Sequence, residues 1–133
     1  MNFNKYGIKT SVDKYKFIVN EKKGCVTCVL EYRLAGTDLA VDIMSSVDYE
    51  FYHKNFLRTA VGVARLNNED TFDVEIGKKV ARARAESMMY NQAGQYIDNI
   101  LAKIQRDFID PCIGFIGKAG EVIDHNDEYI KQF

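Results

Sequence analysis

Lys14 to Val19 and Cys25 to Leu34 each carry the pattern of a half-buried strand, with Gly24 between them, and nothing else in the chain restricts the fold as strongly. In Lys14-Tyr15-Lys16-Phe17-Ile18-Val19 lysines alternate with large apolar residues, as in a strand buried on one face only. Glu21-Lys22-Lys23-Gly24 follows, and Gly24 can take the positive φ that a tight turn needs. From Cys25 to Leu34, residues Val26, Cys28, Leu30, Tyr32 and Leu34 fall on one face, and Thr27, Glu31 and Arg33 on the other. The pattern predicts a β-hairpin.

Residues 36–54 are less regular, because Gly36, Asp38, Ser45 and Ser46 interrupt the apolar Leu39, Val41, Ile43 and Met44. A loop or short helix is expected there, then a strand around Tyr49 to Tyr52. Leu57 to Leu66, small and β-branched, predicts a further strand. Asn67 to Thr71 reads as a turn into a helix, with Asp70 or Thr71 as the cap and Asp73 and Glu75 beside the positive end of the helix dipole. In that helix Ile76, Val80 and Ala83 form a stripe next to Gly77, Ala81 and Ala85, a small-residue face suited to close packing on a sheet. Asn91 to Gly94 weaken or break it. Ile97, Ile100, Leu101, Ile104 and Phe108 then recur at helical spacing. The helix is expected to stop near Asp110, since Pro111 disfavours α geometry in the residue before it. The expected fold is α+β: a small, mostly antiparallel sheet packed against one long or broken helix, with a second helical segment. It is read as a single domain, 1–133, without internal repeats. Val26, Leu30, Tyr32, Val61, Val63, Ile76, Val80 and Ala81 are the expected core.

At 133 residues, with 47% apolar and 28% charged residues, the chain can bury one core and does not have the composition of a disordered protein. No apolar run approaches a membrane span, and Met1 to Lys9 lack the apolar stretch of a signal peptide. Three cysteines, an odd number, fit reduced thiols in a cytoplasm better than a disulfide framework. The net charge of −1 argues against both a strongly basic nucleic-acid binder and an acidic DNA mimic, although residues 1–35 alone carry an excess of positive charge.

Candidate sites are few. Cys25 and Cys28 with Cys112 and His125 have the ligand types of a Cys3His zinc site. However, Val26-Thr27 inside a strand pattern would point the first two sulfurs to opposite faces. Asp70, Asp73 and Glu75 are a possible carboxylate cluster, in a place where a cap and dipole partners are expected anyway. Lys78, Lys79, Arg82 and Arg84 form a basic helix patch, partly balanced by Glu75 and Glu86 at i,i+4 spacing. With Lys22 and Lys23 of the hairpin turn, and Lys14 and Lys16 beside them, that patch is the expected partner-binding surface. His53 and His125 lie in no catalytic motif, and the chain has no G-x-S-x-G, P-loop, G-x-G-x-x-G or H-E-x-x-H. The expectation is a non-enzymatic protein without a cofactor.

The hairpin KFIVNEKKGCVTCVLEY and the later Phe72, Asp73, Glu75, Gly77, Ala81, Arg84 and Ala85, spaced F-D-x-E-x-G-x-x-x-A-x-x-R-A, resemble a family of small phage and prophage proteins of Gram-positive bacteria. The resemblance covers residues 14–90. Relatives often carry Cys where this chain has Leu66. It implies a mobile-element origin and a role in the host cytoplasm, but no particular chemistry. Small phage accessory proteins of this kind often bind a host protein or protein–nucleic-acid complex, and some inhibit defence systems such as CRISPR effectors. Binding nucleic acid, or acting as a zinc-stabilised interaction module, are the alternatives. Oligomerisation through the helix Tyr96–Phe108 is a further expectation.

Overall fold

Strand β1 (Ile8–Asn20) and strand β2 (Cys25–Gly36) form the expected hairpin, and β3 (Leu57–Arg65) pairs antiparallel with the other side of β2, giving the order β1-β2-β3. This is a computed structural model describing residues 7–49, 51, 57–65 and 73–133. The chain divides into two units, Met1–Ile97 and Asp98–Phe133. In the hairpin turn Gly24 adopts φ 59° and its N–H donates to the Glu21 carbonyl at 3.2 Å, while Asn20 Oδ1 accepts from the Lys23 N–H. β1 begins six residues before the predicted Lys14. A bulge between Val12 and Lys14 sets Asp13 aside, so Thr10 and Val12 before it and Tyr15 and Phe17 after it share one face. The single-residue insertion hides this strand from a strict period-two reading.

Helix α1 (Asp38–Val47) follows β2, with Thr37 Oγ1 accepting from the Ala40 N–H. The strand expected around Tyr49 to Tyr52 is corrected: Tyr49 and Phe51 are helical, and the Phe51 N–H donates to the Asp48 carbonyl. Phe51 is buried and stacks on Tyr96, with ring centroids 6.1 Å apart.

Helix α2 (Val74–Ile104) starts at Asp73, whose Oδ1 accepts from the backbone N–H groups of Glu75 and Ile76 at 3.0 and 3.2 Å. Asp73 is therefore the cap, not Asp70 or Thr71, which lie outside the described residues. The helix runs unbroken through Asn91 to Gly94. Ala81, Ala85, Met89 and Ala93, four residues apart, are buried.

The core lies between α2 and the sheet. Val26, Cys28, Leu30 and Tyr32 on β2 are fully buried, with Ala60, Gly62 and Ala64 on β3 buried beside them. Four of the expected core residues, Val26, Leu30, Tyr32 and Ala81, are in it; the other four are corrected. Val61 is exposed and Val63 half-buried, because β3 turns its small residues toward the helix. Ile76 and Val80 are exposed, because the adjacent small stripe of Gly77, Ala81 and Ala85 faces inward. Close approach decides both phases. A Cβ on Gly62 would lie 2.3 Å from the Ala81 carbonyl oxygen and 2.3 Å from the Ala85 nitrogen, and one on Gly77 would lie 2.7 Å from Val26 Cγ2. Larger side chains in these rows would hold the helix off the sheet.

In the second unit the helical backbone does not stop at Asp110 as expected. A π-helical turn (Gln105–Ile109) leads into helix α3 (Asp110–Ile130). The Asp110 N–H donates to the Gln105 carbonyl, five residues back, and Pro111 takes the first turn of α3, where a missing N–H costs least. Asp110 stays in α geometry despite the proline that follows it. No residue of α3 is buried.

Candidate interaction surface

Antiparallel pairing places directly opposite residues on the same face, so the register defines what the sheet shows on the side away from the core. One row across the strands is Ile18, Thr27 and Val63; the next is Lys16, Val29 and Val61. Lys14, Glu31 and Thr59 follow, then Ser11, Arg33 and Leu57, with Asn20, Cys25 and Arg65 at the hairpin end. Every residue in these rows is exposed or half-buried. Ile18, Val29, Val61 and Val63 make an apolar centre, with Val61 at 44% exposure and Ile18 at 50%. Lys14, Lys16, Arg33 and Arg65 surround it, against the carboxylates of Glu31 and Asp13, and Asp13 Oδ2 holds Arg33 Nε at 2.7 Å. An apolar centre with a charged border is how protein-binding patches are built.

The expected basic patch is divided by the helix. Lys78 and Arg82 lean toward β1: Lys78 Nζ lies 5.8 Å from the Phe17 ring centroid, and the Arg82 guanidinium 4.3 Å from that of Tyr15. Arg82 Nε and the Tyr15 hydroxyl both donate to Glu86 Oε1 at 2.9 Å. Arg82 therefore holds the Glu86 carboxyl below its ordinary range, and burial followed by the Glu86 hydrogen bond pushes the Tyr15 hydroxyl up. Glu75 pairs with Lys78 at 3.9 Å, one residue short of the Lys79 spacing read from sequence, and Lys79 is exposed. Arg84 reaches toward the other side, where its Nη1 donates to the Val63 carbonyl at 2.6 Å. Lys22 and Lys23 are exposed in the hairpin turn.

Gln92 completes this anchoring. It accepts from the Tyr32 hydroxyl at 2.9 Å and donates to the Thr59 carbonyl at 3.3 Å. Arg84 and Gln92 thus occupy two carbonyls of β3, an outer strand of the sheet, which blunts it against pairing with another chain. Arg84, expected in the partner-binding patch, is exposed and also donates to the fold through the Val63 carbonyl.

Cys28 is in the core, where burial raises its thiol pKa, and Cys25 sits on the opposite face of β2, so the two sulfurs diverge as the strand pattern expects. Cys112 and His125 lie on α3, and His53 is outside the described residues. Among the described residues no three His, Cys, Asp or Glu side chains gather closely enough to hold a metal ion, and no helix is long and apolar enough to cross a membrane. A depression lined by Gly7, Ile8, Lys9, Ala35, Gly36 and Thr37 brings together no histidine, cysteine or carboxylate.

No family model, curated protein or solved structure matches this chain.

The sequence signal for the exposed sheet face was present in the hairpin. Thr27, Glu31 and Arg33 stand opposite the apolar row of β2, and Lys14 and Lys16 are basic. The contribution of β3 was missed because Val61 and Val63 were read as core.

Proposed function

We propose that this chain is a non-enzymatic phage accessory protein that binds a host macromolecule through the face of its sheet that no described residue covers. The observation that carries the reading is the apolar centre of Ile18, Val29, Val61 and Val63, bordered by Lys14, Lys16 and Arg65. A contiguous apolar cluster that no described residue covers is what a partner with an apolar, acidic-rimmed surface would bury. The resemblance of residues 14–90 to phage and prophage proteins supports a site of action in the bacterial cytoplasm. Inhibition of a defence complex such as a CRISPR effector is the specific role proposed.

The test is affinity capture from a host lysate containing active defence complexes, with and without nuclease, using the native chain and Val61→Glu. Val61 is outside the core, so the variant should fold. The reading expects one nuclease-resistant host protein, lost with Val61→Glu. Capture that is nuclease-sensitive, blind to sequence and steeply weakened by salt would overturn it in favour of nucleic-acid binding through the lysines.

A further inference from the structure

Phe108-Ile109, Phe115-Ile116, Val122-Ile123 and Tyr129-Ile130 repeat an apolar pair every seven residues from the π turn to the end of α3. This is an internal repeat, which the reading from sequence alone had not found. On a straight helix such a row drifts by about 20° per heptad, so a constant seven-residue spacing suits a helix supercoiled about a partner. Three residues after each isoleucine come Cys112, Ala119, Asn126 and Phe133, so the fourth position of the repeat is small or polar until the last heptad. The two large rows flank the smaller one, so together the three form one continuous face on which a neighbouring helix can pack.

Among the described residues nothing covers these rows. Phe115 is 74% exposed and Ile116 69%, and no residue from Asp110 to Ile130 is buried. In proteins most helical stability comes from packing one face, and no residue of this helix is buried. Gly114, Gly117 and Gly120 weaken it further, and a Cβ on any of them would meet nothing within 4 Å.

We infer that α3 pairs with α3 of a second copy of this chain in a coiled coil along the Phe108/Ile109 to Tyr129/Ile130 rows. The occupant must be a helix with a matching heptad, and a second copy supplies one by symmetry. The area is sufficient. With about 150–250 Å² for a fully covered aromatic side chain, Phe108, Phe115, Tyr129 and Phe133 expose on the order of 600 Å² together. The isoleucines bring this toward the roughly 800 Å² that each partner contributes to a stable interface. The seam begins at Phe108, where the Tyr96–Phe108 stripe first expected to mediate association ends. It is independent of the sheet-face reading, so either can fail alone.

The test is sedimentation equilibrium of the full chain over a range of concentrations, beside Ile116→Asp/Ile123→Asp and the control Lys118→Ala/Glu121→Ala. Circular dichroism checks that the sheet unit still folds. The native chain and the control should be dimeric, and the double Asp variant should associate at least about 100-fold more weakly. A chain that is monomeric throughout would overturn the inference, whether or not it binds lipid vesicles or another protein. So would a dimer that survives both Asp substitutions.

Discussion

Substituting Gly62 with Ala tests the packing that holds α2 on the sheet. The added methyl would lie 2.3 Å from both the Ala81 carbonyl oxygen and the Ala85 nitrogen, and 2.8 Å from the Arg84 carbonyl carbon. All three are main-chain atoms of one helix, so no rotamer change relieves the contact; the helix must move away from β3. That movement loosens Ala81 and Ala85 and strains the hydrogen bonds from Arg84 to Val63 and from Gln92 to Thr59. Overpacking of this kind costs about 1–3 kcal/mol, and the rigidity of the neighbours places it near the upper end. Replacing a strand glycine returns about 0.5–1 kcal/mol of backbone entropy, leaving a net loss of about 2 kcal/mol. With a urea m-value of about 1–3 kcal/mol/M, the unfolding midpoint should fall by about 1 M. Gly77→Ala should cost less, because the obstacle is a single Val26 methyl 2.7 Å away and alanine favours the helix. Gly94→Ala, with nothing within 4 Å, should stabilise by about 0.5–1 kcal/mol. Urea unfolding followed by circular dichroism and tyrosine fluorescence would rank the three. Equal stability of Gly62→Ala and the native chain would refute the close approach of helix and strand.

Other outcomes follow from the same contacts. Tyr96 donates to Asp48 Oδ2 at 2.8 Å, and burial, then the Asp48 hydrogen bond, raise its pKa above the ordinary 10.0. Burial also raises Tyr15 and Tyr32. These hydroxyls keep their protons longer in the folded state, so their contribution is intact below pH 10 and is lost as pH rises above it. In Tyr96→Phe the alkaline decline should be shallower in urea titrations from pH 8 to 12, and an unchanged slope would remove Tyr96 from the account. Asp73→Ala removes the acceptor for two N–H groups at the start of α2 and should cost about 1 kcal/mol, with hydrogen exchange at Glu75 and Ile76 rising first. If those amides stayed protected, the cap would lie elsewhere.

The hairpin was legible because its outer and inner rows differ sharply in polarity and Gly24 marks the turn. β3 was found in place but with its faces reversed. Val61 and Val63 are more apolar than Ala60, Gly62 and Ala64, yet the core side went to the small residues because a helix backbone lies against them. Hydrophobicity alone does not register that demand. The same cause turned Ile76 and Val80 outward in favour of Gly77 and Ala81. The outer sheet face was half legible: Lys14, Lys16, Glu31 and Arg33 were on view in the hairpin, but Val61 and Val63 could join them only once the phase of β3 was known. Arg84 reads as part of an exposed basic patch, and its hydrogen bond to the Val63 carbonyl becomes visible only in the fold. The proline rule misplaced the end of the helix because it allowed for an α turn and not for the wider π turn before Pro111.

Lysine acetylation footprinting, with and without the captured partner, tests the central claim most directly. Lys14 and Lys16 lie on the proposed face and Lys79 on the exposed side of α2, and all three are exposed in the chain alone. Binding through the uncovered sheet face predicts that the partner protects Lys14 and Lys16 and leaves Lys79 reactive. Protection of Lys79 with Lys14 and Lys16 still fully reactive would contradict it and return the site to the helix.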